Sequence, residues 1–228
     1  AVTPYWCAPY TYVTTKFIVH AGLAAVYVDD GTTRTDVTGT APTGAIDDRW
    51  TGGTLSGIFV CNNGKDVPMY WVGTIATNLA TLPGWDANWR AESLRPFKNS
   101  LVAMNITKSG TKYPHMVKVS DLANPGAVPA SWDSTDPTID AVEQDQEGPD
   151  PLVDGLQLGD AFILYKERSC IAMTFIGAPY LYRYQRLPGA FGMLARGCAV
   201  DTPLGHVVLS AGDVVLNAGN GPVSICNG

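Results

Sequence analysis

Read for the spacing of its apolar positions, the chain is written in twos rather than in threes and fours. Short apolar runs recur from end to end, among them Lys16-Phe-Ile-Val-His20, Gly57-Ile-Phe-Val60 and Ala161-Phe-Ile-Leu-Tyr165. Runs of this length bounded by turn residues are the mark of strands. Sustained helical periodicity is nearly absent. Asp86-Ala-Asn-Trp-Arg-Ala-Glu-Ser-Leu94 is the best candidate and predicts one short helix at most. In Gly57–Trp71, the Asn63-Gly64 pair between two apolar runs predicts a tight hairpin, because both residues tolerate positive φ. Pro68 has no N–H to give a neighbour, so its strand is expected at a sheet edge.

The runs recur at a longer interval. Their centres fall at Ile18, Ile58, Val102, Ile163 and Val208, with gaps of 40, 44, 61 and 45 residues. A period of about 40–50 residues built from short strands predicts a β-propeller, one four-stranded blade per repeat. A β-sandwich also has regular turns, but they have no reason to recur at this longer interval. The fold expected is therefore all-β, a propeller of short antiparallel hairpin blades: residues 1–132 and 156–228 form blades, and 133–155 is an acidic insertion between them. Near the end, His206–Ser210, Asp213–Asn217 and Pro222–Cys226 read as three successive strands. Asn227-Gly228 then looks like a hairpin turn without its return, so further blades of a longer protein are expected to close the ring.

Composition changes the picture in one place. Net charge is −6, which disfavours a sequence reader of nucleic acid. Eight of the 21 acids (Asp133, Asp136, Asp140, Glu143, Asp145, Glu147, Asp150 and Asp154) lie between Asp133 and Gly155, inside the 61-residue gap, leaving 13 acids against 15 Lys and Arg outside that stretch. The stretch lacks the EF-hand pattern, and Pro137, Pro149 and Pro151 prevent a helix that would gather carboxylates on one face. A calcium site of irregular loop oxygens and a catalytic acid pair are the lesser readings beside a solvated, charged insertion. Five widely spaced cysteines without Cys-x-x-Cys read as buried free thiols. No apolar run reaches the length of a membrane span.

Other signals for chemistry are weak. Gly53-Thr-Leu-Ser56-Gly57 has the wrong spacing for a nucleophile elbow. Gly219-Asn220-Gly221 lacks the third glycine of a dinucleotide loop. His20 has no second ligand at metal spacing. Tyr180, Tyr182 and Tyr184 alternate with Leu181, Arg183 and Gln185, followed by Arg186. Aromatics interleaved with arginines can stack on single-stranded nucleic acid, but alternation is also what a half-buried strand does, and that is the commoner cause. Asn105-Ile106-Thr107 is a glycosylation sequon only if the protein is secreted. No catalytic residue, cofactor or metal ligand is assigned.

Four phrases, at residues 49–71, 120–133, 158–187 and 197–221, resemble the tail nozzle (tail tubular) proteins of short-tailed bacteriophages. The likeness runs over most of the chain, and its Asn-Asn-Gly-x-Asp-x-Pro and Tyr-Lys-Glu-Arg-Ser elements are moderately specific. The resemblance implies a structural virion protein without enzymatic activity. It implies a propeller subunit of a homohexameric ring below the head-to-tail adaptor, with tail fibre or spike proteins as further neighbours. Such a ring forms the distal DNA conduit and retains packaged DNA until ejection. Duplex DNA would pass without sequence-specific binding, and a mildly acidic wall, which adds no counterion release, would not hold it. The alternative carried forward is a secreted propeller that binds glycans or hydrolyses them, which needs carboxylates converging on the propeller axis.

Overall fold

In the computed structural model, which describes residues 3–226, the chain is all β and forms a five-bladed propeller. Each blade is a four-stranded antiparallel sheet whose strands follow in chain order. The first blade contains β1 (Trp6–Tyr12), β2 (Thr15–Ala21), β3 (Val26–Asp29) and β4 (Arg34–Asp36). The second contains β5 (Thr51–Leu55), β6 (Ile58–Asn62), β7 (Met69–Trp71) and β8 (Ala80–Thr81). The third contains β9 (Trp89–Phe97), β10 (Ser100–Lys108), β11 (Thr111–Val119) and β12 (Val142–Asp145). The fourth contains β13 (Leu152–Leu158), β14 (Ala161–Lys166), β15 (Cys170–Gly177) and β16 (Leu181–Arg186). The fifth contains β17 (Ala199–Thr202), β18 (Gly205–Ser210), β19 (Asp213–Asn217) and β20 (Pro222–Ser224). The first strands of successive blades meet one another and surround the axis.

All five apolar centres of the sequence period fall on the second strand of a blade. For the three middle blades the physical reason is burial on two faces. In β6, Phe59 and Cys61 pack toward the first blade while Val60 packs toward the third. In β10, Leu101 and Ala103 face the second blade, and Val102 and Met104 face the fourth. In β14, Phe162 and Leu164 face the third blade, and Ile163 and Tyr165 face the fifth. A strand covered on both sides has no polar face to show, so it reads as an unbroken apolar run.

Four apolar clusters fill the seams between consecutive blades. The largest aromatic group is in the first seam, where Trp71 meets Tyr10 edge-on at 5.6 Å and Phe17 at 5.3 Å. Among the described residues, no comparable cluster joins the fifth blade to the first.

Three local expectations are corrected. Residues 86–94 form no helix: a turn at Asp86–Trp89, closed by Trp89 N–H to the Asp86 carbonyl at 3.0 Å, leads into β9. Pairing along β10 decides this, since Trp89, Ala91 and Leu94 oppose Lys108, Ile106 and Ala103. Pro68 does not mark an edge strand, because β7 lies between β6 and β8. It immediately precedes β7, where its carbonyl accepts from Leu82 N–H at 2.8 Å and its missing donor is not needed. Asn63-Gly64 opens a six-residue loop rather than a two-residue turn. Asn63 Oδ1 accepts from the N–H groups of Lys65 (3.0 Å) and Asp66 (2.9 Å), organising that loop from within.

The three late strands appear as β18, β19 and β20; Asn227 and Gly228 lie outside the described residues. The five thiols are free, but only Cys61 and Cys170 are buried, and burial pushes the Cys61 thiol up to about 12. Among the described residues, no helix is long and apolar enough to cross a membrane.

Candidate functional site

The propeller axis gathers charge from four elements. Asp154, on β13, is fully buried. Its Oδ1 accepts from Ser93 Oγ, from Arg95 Nε at 2.9 Å and from the Gly155 N–H at 2.9 Å. Its Oδ2 accepts from Arg95 Nη2 at 2.6 Å and from the Gly197 N–H at 3.0 Å. Arg95 Nη1 continues to the Gly52 carbonyl at 3.2 Å. One carboxylate thus ties the inner strands of the second, third and fourth blades to the segment entering the fifth. Burial alone would raise the Asp154 carboxyl, but Arg95, Ser93 and the Gly197 N–H together hold it below the ordinary value.

Arg196 adds a second tie. Its Nη1 donates to the Glu92 carbonyl and its Nη2 lies 3.5 Å from the Glu92 carboxylate. Beside these ties is an open cavity of about 360 Å³, lined by Trp6, Arg49, Trp50, Arg95 and Arg196 among others. Trp6 and Trp50 stack with centroids 6.3 Å apart. Three arginines and one carboxylate, Asp48, line it. That carboxylate is 3.3 Å from Lys65 Nζ.

The acidic stretch is divided among different surroundings. Asp133 and Asp136 each bind the hydroxyl and N–H of a threonine two residues on, which lowers both carboxyls. Asp140 N–H donates to Asp121, and Asp145 and Glu147 are exposed. Glu143 is on β12, the outer strand of the third blade, and bridges Lys108 (2.5 Å) and Lys118 (3.0 Å). Both ammonium groups lie over the Trp89 ring, at 4.6 and 5.0 Å. Burial lowers Lys118 despite Glu143. Asp150 accepts from Ser169 Oγ at 2.9 Å and lies 3.5 Å from the buried Lys166 Nζ, which also donates to the Glu147 carbonyl at 2.7 Å. Among the described residues, no three His, Cys, Asp or Glu side chains converge as a metal site.

Replacing Glu143 with Gln leaves Lys118, whose side chain is 2% exposed, without its ion-pair partner. The expected cost is about 2–4 kcal/mol of unfolding free energy. Urea denaturation measures it; a change below about 0.5 kcal/mol, the scale of an exposed pair, would show that the bridge is a surface ornament.

Other sequence candidates also take structural places. His20 lies beside Cys7 across β1 and β2, with Nδ1 3.4 Å from Sγ. His206 is buried: its Nε2 lies 2.8 Å from the Gln157 carbonyl, which can only accept, so Nε2 carries the proton and Nδ1 accepts from Tyr165 Oη at 2.9 Å. Tyr182 is buried against the third blade and Tyr184 packs against the same seam, whereas Tyr180 precedes β16 and is 79% exposed. Asn105 sits in a buried bulge at φ 56°, its Nδ2 donating to the Leu152 carbonyl at 2.9 Å, so the sequon is closed in the folded chain.

The residues that sequence reasoning passed over are the cations. Lys118 and Lys166 lie in apolar strand runs, in His115-Met-Val-Lys-Val119 and Phe162-Ile-Leu-Tyr-Lys166. A lysine inside a two-faced apolar strand signals a buried partner, since an unpaired buried charge is prohibitively costly. No protein-family model and no curated protein matches this chain.

Proposed function

We propose that the chain is a non-enzymatic, structural subunit of the tail nozzle of a short-tailed bacteriophage. It forms part of the ring through which DNA leaves the virion, seated below the adaptor. One observation supports this over a glycoside hydrolase: the buried axial carboxylate, Asp154, is fully engaged by Arg95, Ser93 and Gly197. A hydrolase needs two carboxyls free to face a substrate. The phrases that resemble nozzle proteins lie largely on the second, fourth and fifth blades, and the remaining one, 120–133, lies between β11 and β12.

The test is negative-stain electron microscopy of the purified protein, alone and with the adaptor ring. Closed rings with a central channel wide enough for duplex DNA are the expected result. Dispersed particles under both conditions, together with hydrolysis or binding of polysaccharides, would replace this reading with the secreted-propeller alternative.

A further inference from the structure

The cavity beside the axial ties has two unlike walls. One is cationic, made by Arg49, Arg95 and Arg196, and the other apolar, with Tyr5, Trp6 and Ile46. Inner strands and the segments entering them bring these residues together. Trp6 is on β1 and Arg95 on β9, while Arg49 lies just ahead of β5 and Arg196 just ahead of β17. Tyr5 and Ile46 are 43% and 63% exposed, so the apolar wall is partly open to solvent.

The charges around the cavity do not cancel. Arg95 is paired with Asp154, Arg196 with Glu92, and Asp48, the one carboxylate on the wall, with Lys65. Among the described residues, Arg49 is in no ion pair. Its Nη1 has only the Arg196 carbonyl at 3.4 Å and Cys198 Sγ at 3.9 Å. The wall therefore carries one uncompensated positive charge. Asp154 and Glu92 also fix the other two guanidinium groups, and Asp154 and the Gly52 carbonyl leave part of the five-donor fork of Arg95 unused. Donors already held in place lose little freedom when a ligand binds.

We propose that this cavity binds a monoanion whose carboxylate is carried on a single ring, either an acidic sugar or an aromatic acid. The carboxylate meets the guanidinium groups, whose planar forks match its two oxygens, and the ring covers the apolar wall. One uncompensated charge matches a carboxylate better than a phosphate group near −2. A volume of about 360 Å³ is at the low end for ligand pockets, enough for one ring and its carboxylate but not for a chain of rings. The inference goes beyond the nozzle reading and stands without it, because ring assembly and ligand binding are separate readouts.

The test is saturation-transfer-difference NMR on the purified protein, with glucuronate, benzoate and glucose as probes and inorganic phosphate as competitor. At least one of the two acids should bind with a Kd on the order of 1 mM. Glucose should bind about tenfold more weakly. Which acid binds distinguishes a sugar from an aromatic ligand, and either result supports the site. Arg49→Gln should weaken the acid about tenfold. Ile46→Asp, which sets a negative charge beside the ligand from an exposed position, should weaken it about fivefold. Neither substitution should move the melting temperature by more than about 2 °C, since both residues are at the surface. Glucose binding as tightly as the acids would overturn the proposal, as would phosphate displacing the acid at concentrations below the acid's own Kd. Unchanged affinity in Arg49→Gln would place the ligand elsewhere, and binding of neither acid would leave the cavity without this role; each result sinks the proposal.

Discussion

Asp154→Ala is expected to cost about 3–5 kcal/mol, because it strands the Arg95 guanidinium in a site where that carboxylate was its countercharge. For a domain of this size the melting temperature should fall by about 10 °C. The pH dependence has a definite sign. The folded carboxyl is held below its unfolded value, near 3.9, so the stability it contributes is complete above that value. It is lost as pH falls through the lower folded value. The variant should therefore show a shallower acid limb than the parent protein in urea melts run from pH 6 down to pH 2. A double variant, Arg95→Met with Asp154→Leu, removes both charges and should recover much of the loss. If Asp154→Ala costs less than about 1 kcal/mol, water has replaced the carboxylate and the axial tie contributes little.

Trp71→Ala should be nearly as damaging, at about 3–5 kcal/mol. Trp71 is 1% exposed and packs edge-on against Tyr10 and Phe17 across the first seam. Its indole N–H donates to the Thr77 carbonyl at 2.9 Å. Truncation would open a void between two blades and orphan that carbonyl. Trp71→Phe keeps much of the volume and loses only the donor, so it should cost roughly half as much. Equal costs for the two variants would place the energy in the hydrogen bond rather than in packing. Thermal unfolding followed by tryptophan fluorescence and far-ultraviolet circular dichroism measures both.

The five leading strands were legible because each depends on a local property. A second strand with neighbours on both faces must be apolar at successive positions, as in Phe59-Val60-Cys61 or Phe162-Ile163-Leu164. The terminal blades show the converse: in β2, Phe17 and Val19 are buried while Lys16 and Ile18 are exposed. The same logic misled at 86–94. Ala91 and Leu94 are three residues apart, the spacing of a helix face, and only pairing with β10 shows that they belong to a strand. Pro68 misled because its place one residue before β7 removes the need for its N–H, which the chain alone does not show.

What the chain determines by itself is therefore its strand content and the recurrence of its leading strands, since alternation and apolar run length are read between near neighbours. What each acid does was decided by the tertiary structure. Asp133 and Asp154 lie in one acidic stretch, yet the first closes a solvent-exposed turn with Thr135 and the second is sealed on the axis by Arg95, 59 residues away in the chain. A carboxylate's role depends on the cation and the dielectric around it, and both are set by chain segments remote in sequence.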